Sequence, residues 1–170
     1  GAVKYIFPEV CPCEHNKPIV RPEGEANHYC NSPDCPWQIR RKIEHFMSRN
    51  AMNIAGGEKG VDQLVSAGLL SNIADLYDLK NQREELLKLE RWGDKSVDVI
   101  LNSIEESKKQ PFRKVLYGIG IRFIGEGAAK ILTDHFKNID AIQQATKEEL
   151  ATVYEIGGKM AESLVAFFAD

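Results

Sequence analysis

Four cysteines, Cys11, Cys13, Cys30 and Cys35, all fall within the first 35 residues. One residue separates the first pair, four separate the second, and sixteen lie between the pairs. Zinc takes four soft ligands in a tetrahedron, usually delivered as two close pairs on two turns, and the intervening stretch is long enough for a small hairpin that unites them. The segment is too short to build a core of its own. The ion is therefore structural, with every coordination position filled by protein, and its binding energy of about 10–16 kcal/mol becomes folding energy. Two intervening residues would be the usual spacing for the first pair, so His15 stands as a reserve ligand, whereas His28 reads as surface or packing. The rival is a disulfide framework, against which stand the strain of pairing neighbours as close as Cys11 and Cys13 and the intracellular character of the chain.

A second constellation recurs. "IAGGEKGV" (54–61), "LERWGDKSV" (89–97), "RFIGEGAA" (122–129) and "YEIGGKMA" (154–161) each place a glycine between an apolar or small residue and a helix-like run. Gly57, Gly93, Gly125 and Gly157 are spaced by 36, 32 and 32 residues, the mark of a repeated helix–turn–helix unit. A glycine there permits φ > 0 and close approach of another backbone. The first N–H groups of the helix are unpaired and carry the positive end of its dipole, which makes an anion site. Lys59, Lys95 and Lys159 follow two residues later; the third copy has Gly127 there, with Arg122 just before its turn. Such sites suit a polymer of regularly spaced anions, a nucleic-acid backbone. The plainer reading is a tight turn that only packs two helices.

The elements that must position these groups are helical. "QIRRKIEHFM" places Ile39, Ile43, Phe46 and Met47 on one face. Val61, Leu64 and Val65 share another face, ended by Gly68. Asn81 with Glu84, and Thr146 with Glu149, read as capping boxes. Val97, Ile100, Leu101 and Ile104 form a stripe that stops before Pro111. No strand is expected after residue 37. The expected fold class is mainly α: an entry segment and zinc finger over 1–37, a connecting helix over 38–53, and an all-helical domain over 54–170 with repeats near 54–67, 89–106, 121–136 and 153–168.

The 170 residues are 43% hydrophobic and 28% charged, an ordinary globular composition. No apolar run is long enough to span a membrane, and "GAVKYIFPEV" shows no secretory core; Gly1 could be a tag scar. The net charge is −3. Residues 51–170 carry fifteen Lys/Arg and nineteen Asp/Glu, a balance of −4, so phosphate binding there must be local.

The turns resemble the helix-hairpin-helix motif, apolar–x–Gly–apolar–Gly, although Arg91, Phe123 and Glu155 stand where its first glycine is expected and "AGGEK" lacks the apolar residue between its glycines. A four-cysteine finger, an Arg-rich helix and four such units in that order resemble the bacterial NAD-dependent DNA ligases. "FPEVCP", "IRRKIEHFMSRNAMNI", "ADLYDL", "GDKSVDVILNSIEESKKQPF" and "LYGIGIRFIGEGAAKIL" are also similar to that family, over roughly residues 4–168. The resemblance implies nicked double-stranded DNA as partner, gripped through phosphates by Gly57, Lys59, Gly93, Lys95, Arg122, Gly125, Gly127, Gly157 and Lys159, with zinc on Cys11, Cys13, Cys30 and Cys35. It implies that NAD and magnesium bind adenylation and neighbouring domains of a parent enzyme, because the family's Lys-x-Asp-Gly nucleophile is missing from this sequence. The adenylation, OB and BRCT domains would be partners in the parent chain, in the bacterial cytoplasm with the nucleoid. Two other readings stay open: a hairpin module of a different DNA-repair enzyme, and a protein–protein interaction module working through its acidic surface.

Overall fold

The computed structural model describes residues 4–13, 15–30 and 32–169; Gly1 lies outside them. Residues through Arg41 form one compact unit and those from Lys42 onward a second.

In the first unit, β1 (Ile19–Val20) and β2 (Tyr29–Cys30) pair antiparallel, with Ile19 opposite Cys30 and Val20 opposite Tyr29. Among the described residues no strand follows, and the rest is helical. α1 (Pro36–Met47) starts two residues earlier than the apolar periodicity suggests. Pro36 opens it, since proline has no N–H to lose at the first helical position, and the Ile39 N–H closes the first turn on the Cys35 carbonyl at 3.0 Å.

The second unit repeats helix, turn, helix. α2 (Gly57–Ser66) buries Val61 and Leu64 and ends at Gly68, whose φ of 71° suits glycine. The Gly68 N–H reaches the Val65 carbonyl and the Leu69 N–H the Leu64 carbonyl, the paired bonds of a Schellman stop. Asp75 then collects Ser71 and Asn72 on its carboxylate, while the Asn72 side chain accepts from the N–H groups of Ala74 and Asp75. That cradle starts α3 (Asp75–Asp78), which runs through a 3-10 turn (Leu79–Gln82) into α4 (Arg83–Leu87). Here the sequence expectation fails: Asn81 lies inside the 3-10 turn, and Gln82 precedes α4 without a side-chain cap. The chain leaves helical dihedrals only at Gln82 (φ −118°, ψ 25°), so α4 begins directly on the 3-10 turn with no capping side chain.

α5 (Asp94–Ser107) buries Val97, Ile100 and Ile104. Ser107 is buried at its end, where its hydroxyl donates to the Ile104 carbonyl and meets the Tyr77 hydroxyl at 3.1 Å. Pro111 turns the chain into α6 (Phe112–Gly118), followed by α7 (Glu126–His135), α8 (Ile139–Gln144), α9 (Lys147–Thr152) and α10 (Gly158–Ala169). The Thr146–Glu149 capping box forms as expected, whereas Asn138 caps α8 through the Ala141 N–H, a start the sequence reading missed. α4 packs on α5, α6 on α7 and α9 on α10. The last two pairs share one core, formed by Leu116, Ile121, Ile124, Leu132, Ile142, Leu150, Ile156 and Leu164 among others. Each such side chain fully removed from water contributes about 1.5–3 kcal/mol. At Gly118 a Cβ would lie 3.1 Å from the Phe46 ring and 3.2 Å from the Ala51 methyl, so that position allows the close approach of α6 to the end of α1.

Candidate metal centre and nucleic-acid interface

The finger brings its four sulfurs together. One candidate ligand atom from each of Cys11, Cys13, Cys30 and Cys35 lies within 4.8 Å of the others. Cys11, Cys13 and Cys35 are buried and Cys30 is half-buried. Local hydrogen bonds make the cage: the Cys11 N–H donates to the Lys17 carbonyl at 2.9 Å, the Asn16 N–H to Cys13 at 3.0 Å, and the Cys35 N–H to Ser32 at 3.3 Å. Asn16 supplies the left-handed residue, φ 46°, that closes the first turn. β2 delivers Cys30, and the Gln38 amide ties its carbonyl back to α1 at 2.6 Å.

All four cysteines are free thiols. Cys11 Sγ and Cys35 Sγ stand 3.9 Å apart, whereas a disulfide requires about 2.05 Å. Zinc–sulfur bonds of about 2.3 Å in a tetrahedron put neighbouring sulfurs about 3.8 Å apart. The single-residue spacing of Cys11 and Cys13 therefore still delivers both to one cage. The reserve ligand falls outside it: His15 is exposed, with Nδ1 3.4 Å from the Ser32 hydroxyl.

Without a cation the thiols compete for charge. A bond from the Cys13 backbone favours the Cys11 thiolate, but burial and the neighbouring sulfurs outweigh it and push Cys11 up to about 12. Burial also raises Cys13, yet hydrogen bonds from Cys11, the His15 backbone, Cys35 and Cys30 bring it down to about 7. A cluster that ionises one thiol easily and resists the next can hold a metal ion, because the ion's charge is what makes several adjacent thiolates tolerable.

The hairpin turns have a common geometry. The Trp92 N–H bonds to Leu89, the Ile124 N–H to Ile121 and the Ile156 N–H to Val153. The third residue of each turn has positive φ: Arg91 at 67°, Phe123 at 66° and Glu155 at 65°. These are the places where the sequence departs from the motif's first glycine. The backbone keeps the left-handed shape although the residue types disfavour it by about 1–2 kcal/mol each. The next residue points inward, with Ile124 and Ile156 buried and Trp92 half-buried, its Nε1 donating to Gln63 at 2.7 Å.

The glycine that follows is not the left-handed residue, which corrects the reading from sequence. Gly93 (φ −102°) and Gly125 (φ −80°) cap α5 and α7 in extended conformation. A Cβ built on Gly93, Gly125, Gly127 or Gly157 meets nothing within 4 Å. Neither φ nor protein packing asks for glycine there.

The first copy also needs correction. Its left-handed residue is Asn53 (φ 54°) and its buried anchor Ile54, so Ala55 takes the place that Gly93 and Gly125 hold in their turns. Gly56 (φ 136°) caps α2, and Gly57 (φ 60°) is the first residue of that helix rather than the equivalent of the later glycines. The inserted residue disguises the register. Lys59, Lys95, Arg122 and Lys159 are all exposed near their helix starts. Carboxylates share three of those starts, Glu58, Asp94 and Glu126, whereas the first turn of α10 has none. Arg83 draws Asp94 and Asp98 to itself at 2.9 and 2.6 Å.

Residues 114–170 match a family described as a helix-hairpin-helix motif. Over nearly its whole length the chain is similar to proteins named DNA ligase. It is 49% identical over 168 residues to that of Parabacteroides distasonis, covering 98% of this chain and 25% of the relative. It is 52% identical over 166 residues to that of Bacillus licheniformis, covering 97% and 24%. It is 47% identical over 171 residues to that of Koribacter versatilis, covering 100% and 25%. The chain thus spans about a quarter of the length of these relatives.

Proposed function

We propose that this chain, a relative of the DNA ligases over nearly its whole length, is the part of an NAD-dependent bacterial DNA ligase that grips nicked duplex DNA. The observation that carries this reading is the open space at the capping glycines of the second, third and fourth hairpins. A residue whose side chain would touch no protein, in a conformation any residue can adopt, leaves the first N–H groups of a helix accessible to an anion. Exposed Lys95, Arg122 and Lys159 stand beside those starts. Backbone N–H groups meeting phosphates hold a duplex without reading its sequence.

The four thiols hold zinc in a structural role. The chemical step belongs to the rest of the parent chain, where an adenylation domain uses NAD and magnesium, and the OB and BRCT domains complete the assembly in the cytoplasm with the nucleoid. On this reading the finger takes residues 1–37, the connecting segment 38–53 and the hairpins 54–170.

Binding of the zinc-loaded chain to a nicked duplex as a function of salt tests this reading. If about four phosphates are neutralised, the logarithm of affinity falls with the logarithm of salt at a slope near −4. A slope near zero, or no duplex binding at 20 mM salt, refutes it.

A further inference from the structure

We propose that Cys30 is the point at which the thiol cage is chemically opened: of the four cysteines it is the one that soft electrophiles, small disulfides above all, modify first. This rests on the reading of the four thiols as a zinc cage and is independent of how the hairpins meet DNA.

The four cysteines are close to one another but not equally sheltered. Cys11, Cys13 and Cys35 are 6%, 3% and 0% exposed, whereas Cys30 is half-buried. The elements that carry them differ in the same sense. Cys35 passes directly into α1: its carbonyl accepts from the Ile39 N–H, and its own N–H is held by the Ser32 carbonyl. Cys11 and Cys13 share the turn closed by the bonds from Cys11 to Lys17 and from Asn16 to Cys13. Cys30 instead ends β2, a two-residue strand of a two-stranded sheet. A ribbon that short is marginal in water by itself, and weakly supported elements open locally at little cost in free energy. His28 and Tyr29, which lead into Cys30, are both exposed, so small solutes reach β2 from that side. The bond from the Gln38 amide to the Cys30 carbonyl steadies the backbone. The least buried cysteine of the cage thus stands on its least supported element.

A metal-bound cysteine is a thiolate at neutral pH, and the thiolate is the nucleophile. Reactivity within the cage is then decided by access, and access favours Cys30. In the step proposed, Cys30 Sγ bonds to one sulfur of a small disulfide while that disulfide's S–S bond breaks. The electron pair leaves with the other sulfur, which departs as a thiolate and takes a proton from water. Cys30 is oxidised, the departing sulfur is reduced, and three thiolates remain to hold the cation. A maleimide makes the same first attack without oxidation: an S–C bond forms, the carbon–carbon double bond opens, and its other carbon takes a proton from water.

The test pulses the zinc-loaded chain with a limiting amount of N-ethylmaleimide, quenches it in acid and maps the label by peptide mass spectrometry, while a chromogenic chelator follows zinc release. Among singly labelled chains Cys30 is expected to carry at least about threefold more label than any other cysteine, as access dictates, and oxidised glutathione is expected to form its first mixed disulfide at the same residue. Cys30→His keeps a zinc ligand and removes the exposed thiolate, so maleimide-driven zinc release is expected to slow about tenfold, the remaining thiolates being the buried ones. Label spread evenly over the four cysteines, or found first on Cys11, Cys13 or Cys35, overturns the inference. So does a zinc-holding Cys30→His that loses its metal to maleimide at the parent's rate. A parent chain that binds no zinc removes the cage reading and this inference together, whereas a failure of duplex binding touches neither.

Discussion

Replacing Gly125 with alanine separates the demands of the fold from those of a ligand. Gly125 is the N-cap of α7 at φ −80° and ψ −179°, and a Cβ there has no neighbour within 4 Å. Alanine is a poorer N-cap than glycine by about 0.5–1 kcal/mol. Losing glycine's freedom in the unfolded chain returns about 0.4–1 kcal/mol. The two nearly cancel, so stability should change by no more than about 0.5 kcal/mol, roughly 2 °C in the melting midpoint for a unit of this size. The methyl group would stand in the open space beside the first N–H groups of α7. If one phosphate hydrogen bond is displaced, worth about 1.5–3 kcal/mol when charge-assisted, affinity for nicked duplex should fall about tenfold or more. Anisotropy titration and circular-dichroism melting on the same preparation read both quantities. Unchanged binding with unchanged stability would show that the glycine serves no anion, and a melting midpoint lower by more than about 6 °C would show that the fold required it after all.

Chelation should unfold the finger and spare the hairpins: hydrogen exchange should speed at the Cys11 and Ile19 amides, which bond Lys17 and Glu9, while the Ala129 and Ala161 amides keep their protection; loss of protection throughout would make the metal part of the whole fold. The Ser71 hydroxyl, helped by the N–H groups of Ser71 and Asn72, holds the Asp75 carboxyl below its ordinary 3.8. A depressed carboxyl contributes stability above its unfolded value and loses it as pH falls through the folded one. Asp75→Asn should therefore cost about 1 kcal/mol at pH 7, with the gap to the parent narrowing as pH falls below about 4; a gap that does not narrow on acidification in urea titrations would refute the ionic origin.

The helices with regular apolar stripes were legible in the sequence, because burial of Ile43, Phe46, Val61, Leu64, Val97, Ile100 and Ile104 is periodic. The thiol cage was legible too, since cysteine spacing survives without knowledge of the loops. The turns were not. Arg91, Phe123 and Glu155 hold left-handed backbone without belonging to a residue type that favours it; the inward-facing anchor after each of them, half-buried Trp92 and buried Ile124 and Ile156, holds the turn, and that is a tertiary effect. The same cause hid the register of the first copy, where Asn53 marks the turn and the glycines that caught the eye sit later. Short α6 and α8 escaped because neither shows two full turns of pattern.

Leu116, Ile124, Ile156 and Leu164 belong to one continuous core, so the turns at 121–124 and 153–156 are fixed to each other like the jaws of a set caliper. A gauge of fixed opening cannot adjust to what it measures, so on the proposed reading the double helix has to conform. Continuous stacking makes an intact duplex stiff, and a strand break relieves that stiffness at one step. On the proposed reading, preference for broken DNA then comes from the mechanics of the polymer, with no protein group needed to recognise the break itself.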